Sequence, residues 1–249
     1  MLVLLPPSET KRPAGDGAPI DLGALALPSL RAQREEVVDA LVALSADEEA
    51  SVRVLKLSAR RRHEVADNAA LRSAPTLPAV DRYTGVLFDA LDAETLDEST
   101  RSWLGAHVLI HSAPFGPVGA LDGIPVYRLA ASTSLPGAPS PRRIWRDAVS
   151  AAIREVTPGF VLDLRSEAYA ALGPVPADVD GAYVRVVSAS ADGTVRALNH
   201  FNKTAKGELT RALASARADI ASRADLLDWA RSSGIVVRDG AAGEVELLV

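Results

Sequence analysis

Three cations near the start of one segment have the types and spacing that suit binding of an anion. Lys203, Lys206 and Arg211 span about 140° of one side of a helix at roughly 100° per residue. Alanines and leucines fill the opposite side. Asn202 can cap this helix, whose first N–H groups add a positive dipole end. The pattern predicts a phosphate-binding helix start or, alternatively, an amphipathic helix with a solvated basic face.

A second polar group, Arg165-Ser166-Glu167-x-Tyr169, follows a predicted buried strand at 160–164 and begins a predicted helix. In α/β layers, side chains and helix N–H groups converge on ligands at such positions. Glu167 and Tyr169 are therefore candidate acid and base residues. The alternative is that Ser166 and Glu167 merely cap the helix and favour its start.

Two further cations, Lys11 and Arg128, lie in predicted loops. Lys11 follows the predicted strand Leu2–Leu5 and a double proline. Arg128 lies within the long glycine- and proline-rich stretch 112–141, which predicts a site or a disordered loop. Arg128 could bind carboxylate or phosphate in a bidentate manner, or tie the loop down through an internal ion pair.

Residues 46–72 predict two short helices that meet at Leu57-Ser58, the second one capped by Ser58. Basic residues surround this turn, as in a helix-hairpin-helix, a module that grips duplex phosphates through turn amides and nearby cations. The usual glycines are missing, so an ordinary helical pair is the alternative. The candidate phosphate contacts are Lys56, Ser58, Arg60, Arg61 and Arg62.

Composition excludes several other classes of protein. The 249 residues contain no cysteine, which rules out disulfides, thiolate catalysis and cysteine-based metal sites. The four histidines show no metal-ligand spacing, and neither a Walker loop, a Rossmann fingerprint nor a Gly-x-Ser-x-Gly motif occurs. We therefore expect no metal and no cofactor. No apolar run approaches the ~20 residues of a membrane span, and we expect a cytoplasmic protein without a membrane partner.

The net charge of −5 and the 4% aromatic content argue against a uniformly basic protein or a broad base-stacking platform. Any nucleic-acid contact would therefore depend on local basic patches and phosphates. Periodicity predicts alternating helices and strands without repeats or a convincing linker. The predicted helices are 28–44, 78–91, 97–105, 141–156, 165–172 and 226–232, and the predicted strands include 107–111, 183–189, 194–199, 235–238 and 245–248. A hairpin turn is expected at 191–193.

These landmarks, in this order, resemble the YaaA peroxide-stress protein family. The matching segments are the run 4–11 that contains Pro6-Pro7-Ser8-Glu9-Thr10-Lys11, Tyr83-Thr84-Gly85-Val86, the loop 116–129 that ends in Tyr127-Arg128-Leu129, Ser166-Glu167-x-Tyr169, and Lys203-x-x-Lys206-Gly207-x-x-x-Arg211. This sequence departs from the family pattern at 111–116, at Arg60-Arg61-Arg62 in place of lysines, and at Lys206-Gly207 in place of an arginine-glycine pair.

The resemblance implies an α+β single domain, 1–249, whose mixed β-sheet core is surrounded by helices and includes a helix-hairpin-helix-like element at 46–72. It also implies a positively charged cleft that binds double-stranded or distorted DNA, and protection against hydrogen peroxide by limiting iron-promoted damage. The expected cleft residues are Lys11, Tyr83, Thr84, Arg128, Arg165, Ser166, Glu167, Tyr169, Lys203, Lys206 and Arg211.

An enzyme acting on a nucleotide or another phosphorylated small molecule in the same cleft is the main alternative. Polar residues that converge at strand ends motivate it, because DNA holding alone does not require them. A scaffold or partner-binding domain is the third hypothesis. The sequence leaves open whether catalysis occurs.

Overall fold

The computed structural model describes residues 1–13, 15–156, 159–189, 195–197 and 199–249, and within them an eight-stranded mixed sheet forms the centre. Its strands are β1 (Leu2–Leu5), β3 (Val108–Ser112), β4 (Gly116–Gly119), β6 (Val161–Asp163), β7 (Gly181–Ala189), β8 (Val195–Ala197), β9 (Val237–Asp239) and β10 (Glu244–Leu248). A separate antiparallel pair joins β2 (Leu77–Pro78) to β5 (Gly123–Ile124).

The strands of the main sheet follow the order β4-β3-β1-β6-β7-β10-β9, and β8 pairs with the end of β7. β1 is parallel to both β3 and β6, and β6 is parallel to β7. Because β1, β3 and β6 run in one direction, their carboxyl ends at Leu5, Ser112 and Asp163 lie along the same edge. Ligands of open α/β sheets bind outside this kind of edge.

Helices cover the sheet. They are α1 (Arg31–Leu44), α2 (Glu48–Leu55), α3 (Glu64–Ala69), α4 (Ala79–Arg82), α5 (Val86–Leu91), α6 (Glu98–His107), α7 (Pro141–Val156), α8 (Glu167–Ala170), α9 (Asn199–Ala216) and α10 (Arg223–Ser232). Side-chain caps begin three of them: Asp47 accepts from the Ala50 N–H at 2.9 Å, and Asp97 and Ser222 make the equivalent bonds in α6 and α10.

The core is one connected cluster of buried apolar residues, and β1 lies at its centre with Val3, Leu4 and Leu5 each at most 1% exposed. A strand that is buried on both faces is typical of parallel sheets flanked by helices. Arg34 of α1 is also fully buried, and its guanidinium donates to four backbone carbonyls. Those bonds replace the water that the charge loses on burial.

Gly85 and Gly207 lie where neighbouring elements approach closely. Gly85 precedes α5 with φ of 96°, and a Cβ there would meet the hydroxyls of Thr10 and Ser8 at 3.2 and 3.3 Å. Gly207 of α9 faces α5, where a Cβ would stand 2.2 Å from the Leu87 carbonyl oxygen. Glycine therefore allows α9 to pack directly against α5.

The predicted fold class, a mixed sheet core surrounded by helices, is confirmed. The predicted helix 78–91 is wrong as a single element, because residues 83–85 are not helical and separate α4 from α5. The stretch 112–141 is not wholly irregular, since β4 and β5 lie within it. His107 ends α6 rather than lying on the strand. The predicted hairpin turn at 191–193 lies outside the described residues.

Residues 46–72 contain two α-helices and a 3-10 turn at Ala59–Arg61. The second α-helix begins at Glu64, so the predicted helix start at Ser58 is wrong; Ser58 precedes the 3-10 turn and makes no side-chain capping bond. Lys56 ends α2 in the left-handed conformation, with φ of 52°. It occupies the position where helices commonly place glycine, which explains how this turn forms without one.

Candidate functional site

Loops that leave the carboxyl ends of the parallel strands supply the candidate site. The loop after β1 contains Glu9 and Lys11, and Lys11 forms an isolated antiparallel bridge with Tyr83 in the break between α4 and α5. The Thr84 N–H donates to the Thr10 carbonyl at 3.1 Å, and the Thr10 hydroxyl donates back to the Thr84 carbonyl at 3.1 Å. This pairing fixes Lys11 beside the tyrosine.

Lys11 lies in an aromatic enclosure. Its Nζ is 4.0 Å from the ring centroid of Tyr127 and 5.5 Å from that of Tyr83. The same nitrogen donates to the carbonyls of Ser8 and Glu9 at 3.1 and 3.3 Å. Desolvation by the surrounding atoms, followed by repulsion from Arg128, lowers the pKa of Lys11 from 10.5 to about 7.

The two tyrosines of the enclosure are buried and joined to each other. Their hydroxyls are 2.7 Å apart, and Tyr83 and Tyr127 are 2% and 3% exposed. Burial raises the pKa of both phenols, so each hydroxyl stays protonated at neutral pH. The enclosure is therefore neutral, and the charges around Lys11 come from its other neighbours.

An ion-pair network adjoins Lys11. Arg128 donates to the Glu9 carboxylate at 3.1 Å and lies 3.7 Å from Glu64 Oε2. Arg61 donates to Glu64 Oε1 at 2.7 Å and lies 3.7 Å from Glu9. The hydrogen bond from Arg128 is the main reason that the pKa of Glu9 is lowered. Glu64 Oε2 is buried and has no hydrogen-bond partner among the described residues.

Asn68 of α3 holds Arg128 through its backbone. The Asn68 amide group donates to the Arg128 carbonyl at 2.9 Å and accepts from the Arg128 N–H at 2.7 Å. This reciprocal pair fixes the end of the loop that carries Arg128 against α3. The internal ion pair that the sequence analysis gave as the alternative for Arg128 is also present, with Glu9 and Glu64.

A buried ion pair between Arg165 and Asp163 lies at the end of β6, beside His111 of β3. Arg165 donates two bonds to Asp163, at 2.9 and 2.7 Å, and is fully buried. Its remaining terminal nitrogen lies 3.0 Å from His111 Nδ1. Because arginine only donates, Nδ1 accepts and the proton resides on His111 Nε2, which has no partner among the described residues. Burial lowers the pKa of His111 well below its usual value.

Tyr169 contacts His111 beside the buried ion pair. Its ring centroid is 5.6 Å from that of His111, and the charges of Glu9 and Arg128 both act on its phenol. Burial is the largest cause of its raised pKa. Direct or shared contacts thus connect Lys11, Tyr83 and Arg128, and a second set of contacts connects Arg165 with Tyr169 through His111.

Lys206 forms a second lysine–tyrosine pair. Its Nζ lies 5.4 Å from the Tyr183 ring centroid, and the Tyr183 hydroxyl donates to the Arg165 carbonyl at 2.9 Å. Desolvation lowers the pKa of Lys206 to about 8, although Asp163 opposes that shift. Glu167 is exposed and pairs with Arg185 at 3.2 Å.

Three other predicted residues lie apart from these groups. Lys203 is exposed on the first part of α9, and Ser166 is exposed and makes no side-chain cap for α8. Arg211 donates to the carbonyls of Leu91 and Asp92, both at 2.8 Å, at the end of α5. The structure therefore does not bring Arg211 to the Lys11 edge.

The predicted phosphate contacts of residues 46–72 divide into two sets. Lys56, Ser58 and Arg60 are exposed. Arg61 belongs to the network around Glu64, and Arg62 donates to Glu48 and Glu49 at 3.0 and 2.7 Å. Ion pairs inside the protein thus engage two of the three consecutive arginines.

Sequence reasoning left several contributors out of the predicted site, namely Glu9, Glu64, Asn68, His111, Tyr127 and Asp163. The spacing Asp163-x-Arg165 could have indicated the ion pair, because the side chains of alternate residues at a strand end can contact each other. Glu64 and Asn68 gave no such indication, since they lie on a short helix about 60 residues before Arg128.

Within the described residues, no three histidine, aspartate or glutamate side chains are arranged to hold a metal ion. Among the helices of that same part of the chain, none is long and apolar enough to cross a membrane.

Comparison with known proteins shows the family of this chain. Residues 1–234 match the family described as peroxide stress protein YaaA. The chain belongs to this family. Family membership carries a role in peroxide stress, and it agrees with the resemblance that the sequence motifs indicated.

Curated relatives match nearly the whole chain. A UPF0246 protein of Corynebacterium efficiens is 45% identical over 241 residues, which cover 95% of this chain and 94% of the relative. A UPF0246 protein of Corynebacterium glutamicum is 42% identical over 96% of this chain and 95% of its own length. Another from Streptomyces coelicolor is 42% identical over 95% and 92%, respectively. The similarity therefore spans both the hairpin and the site.

Proposed function

We propose that this protein acts in peroxide stress by binding double-stranded or distorted DNA in the cytoplasm and limiting iron-promoted damage to it. The exposed hairpin residues Lys56, Ser58 and Arg60 hold phosphates, and the cluster around Lys11 receives the DNA strand next to them. The observation that carries this proposal is the ion pair between Arg61 and Glu9, 3.7 Å apart, which joins the hairpin directly to the Lys11 loop.

The charge of this region supports phosphate binding without requiring a uniformly basic surface. Lys11, Arg61 and Arg128 face Glu9 and Glu64, which leaves one excess positive charge when Lys11 is protonated. The Glu9 side chain is 70% exposed, whereas that of Arg128 is only 13% exposed. A phosphate can replace this exposed carboxylate beside Arg128 without uncovering a buried group.

Fluorescence anisotropy with a labelled duplex and with the same duplex carrying a bubble tests the proposal. We expect Lys56→Ala/Arg60→Ala to weaken binding to both DNAs and to reduce the slope of log K against log salt by roughly 2. Arg231→Ala is the matched control, because Arg231 is an exposed arginine on α10 that pairs with Asp228. Unchanged affinity of the double variant, or equal loss in the control, would contradict the hairpin as the phosphate contact.

The peroxide role is tested in cells. Loss of the protein should increase DNA lesions after peroxide exposure, and a cell-permeant iron chelator should remove most of that increase. Equal lesion counts with and without the protein would reject protection of DNA. An increase that the chelator leaves untouched would reject the iron-promoted part.

An enzyme acting on a nucleotide or another phosphorylated small molecule is the second candidate. Lysines with pKa values near neutrality beside protonated tyrosines favour it, because simple DNA holding requires neither. Glu167 and Tyr169 are its candidate acid and base residues. A Glu167→Gln protein that binds DNA fully but no longer protects peroxide-stressed cells would support catalysis, and joint retention of both properties would argue against a role for Glu167.

A further inference from the structure

We propose that Lys11 forms a covalent imine with the aldehyde of a base-less deoxyribose in DNA. The inference rests on the proposed DNA-binding function and names a substrate class for the site. Its geometric basis is the placement of the Lys11 amine beside two tyrosine rings and two backbone carbonyls, with the charge of the Glu64 carboxylate acting on it.

The hydrogen bonds of Lys11 leave room for nucleophilic attack. A neutral amine has two N–H donors and one lone pair, and the carbonyls of Ser8 and Glu9 can accept both donors. Both carbonyls belong to the same short loop as Lys11 and need no other side chain to place them. The remaining tetrahedral position of the nitrogen is the one that a carbonyl carbon requires.

The electrostatic surroundings keep this amine available. The charged groups that act on Lys11 are Arg128 and Arg61, which favour the neutral amine, and Glu64 and Glu9, which favour the ammonium. The phenols of Tyr83 and Tyr127 stay protonated. Desolvation exceeds the attraction of the carboxylates, so the pKa of about 7 leaves a large neutral fraction at physiological pH.

Glu64 is the group suited to proton transfer. Its Oε1 accepts from Arg61, whereas Oε2 is buried and has no hydrogen-bond partner among the described residues. The charge of Glu64 acts on Lys11, but in the described part of the chain Glu64 makes no direct ion pair with the amine. We therefore assign Glu64 as the base that takes the proton from the attacking nitrogen through one bridging water molecule.

The reaction needs no oxidant or reductant. The Lys11 lone pair forms an N–C bond to C1′ of the ring-opened sugar while the C=O π bond breaks, and one N–H proton passes through Glu64 to the oxygen to give a carbinolamine. The second N–H proton passes by the same route to the hydroxyl as the C–O bond breaks, so that water leaves and C=N forms. Hydrolysis by one water molecule reverses these steps and restores both the lysine and the aldehyde.

DNA supplies this aldehyde only where a base is missing. An intact nucleotide holds C1′ in a glycosidic bond, whereas a base-less sugar opens to the free aldehyde. The hairpin would hold neighbouring phosphates while Arg61 and Glu9 place the Lys11 loop beside them. The site thus matches a damaged strand better than an intact one.

Borohydride trapping tests the inference. Sodium borohydride reduces an imine to a stable amine, and the protein would be treated with it in the presence of a duplex that carries one abasic site. We expect a covalent protein–DNA adduct whose peptide mass maps to Lys11 rather than to Lys56, Lys203 or Lys206. Trapping should accelerate as pH rises through about 7, because the amine loses its proton there.

Matched variants separate chemistry from folding and binding. Lys11→Arg keeps a cation but removes the nucleophile, so the adduct should fall to background, and the loss of adduct should far exceed any loss of duplex affinity measured by anisotropy; thermal unfolding shows whether the variant is folded. Glu64→Gln should slow trapping on the order of 10²-fold, the usual contribution of a general base. Arg231→Ala should trap at the parental rate.

The outcomes distinguish the inference from the function on which it rests. Absence of duplex binding by anisotropy rejects both. Normal binding with no adduct, with an adduct at another lysine, or with full trapping by Lys11→Arg rejects the imine while the DNA-binding proposal stands. An adduct at Lys11 with the abasic duplex, and none with the intact duplex, supports the inference.

Discussion

Lys11 and Lys206 are both packed on tyrosine rings, yet their surroundings differ in kind. Lys11 hydrogen-bonds two carbonyls of its own loop and sits 4.0 Å from the Tyr127 ring centroid. Lys206 lies on a long helix, 5.4 Å from the Tyr183 ring centroid, and the buried Asp163 opposes the lowering of its pKa. An aromatic neighbour alone therefore does not decide the state of a lysine: desolvation lowers both pKa values most, and the charges around each lysine modify that shift.

The two lysine regions also differ in how firmly their carboxylates are held. Asp163 is engaged by Arg165 through two hydrogen bonds, so the Lys206 region is anchored to the sheet. The carboxylate beside Lys11 that is bonded to Arg128 belongs to Glu9, whose side chain is 70% exposed. The Lys206 region resembles a structural ion-pair network, and the Lys11 region can exchange its partners with a ligand.

Replacing Asp163 should produce the largest effect. Asp163→Asn removes the charge that compensates the fully buried Arg165. We expect a loss of ~3–5 kcal/mol in the free energy of unfolding, because an unpaired buried charge remains. Urea denaturation measures it. The matched control is Asp178→Asn, which removes an exposed partner of Arg154 and should leave the midpoint unchanged. Equal urea midpoints for the parent and Asp163→Asn would show that Asp163 does not anchor the Lys206 region.

Removing one hydroxyl of the tyrosine pair should have an intermediate effect. Tyr127→Phe keeps the ring beside Lys11 but leaves the buried Tyr83 hydroxyl without this partner. We expect a loss of about 1–3 kcal/mol in the free energy of unfolding. A double-mutant cycle with Tyr83→Phe should recover part of the loss, and strict additivity would show that the 2.7 Å contact contributes nothing.

The pKa values of the two lysines sharpen the comparison. Reductive ¹³C-methylation followed by NMR titration should give midpoints near 7 for Lys11 and near 8 for Lys206. Lys11→Met and Lys206→Met assign the two resonances. A higher midpoint for Lys206 than for Lys11 is the expected order, and the reverse order would show that Asp163 does not protect the Lys206 charge.

The same pKa shifts determine whether the stability of the protein rises or falls with pH. Between pH 7 and 10.5 the unfolded chain holds a proton on Lys11 that the folded protein has released. Stability therefore rises with pH across that window. The urea midpoint of Lys11→Met should therefore increase less across this pH window than the midpoint of the parent. The corresponding window for Lys206 runs from pH 8 to 10.5.

The smallest effect is expected at Glu9. Its pKa is lowered chiefly by the hydrogen bond from Arg128, so its contribution to stability is present above the usual 4.5 and is lost as pH falls through the lowered value. Glu9→Gln should make the stability of the protein less sensitive to acid. The change should be slight, since the side chain is mostly exposed. Removing this carboxylate should also lower the Lys11 midpoint, and an upward shift in the NMR titration would contradict the assigned network.

Much of the architecture was predictable because it depends on local patterns. The helix Pro141–Val156 has the predicted bounds, and the strand over Leu2–Leu5 is present as a central buried strand. The break at Tyr83-Thr84-Gly85 was not predicted, because apolar residues on both sides continue the helical spacing. Pairing of this segment with the Thr10-Lys11 loop supplies the hydrogen bonds that a helix would otherwise provide.

The sequence by itself determined most of the helices and strands, the family, and several cations and tyrosines of the candidate site, although it left out Tyr127. Only the tertiary structure decided which charges meet. Glu64 and Asn68 reach Arg128 across about 60 residues, and Arg211 binds the end of α5 instead of the Lys11 edge. Periodicity records which face of an element is buried, whereas the partner of a charge depends on how distant elements pack, and no local pattern encodes that.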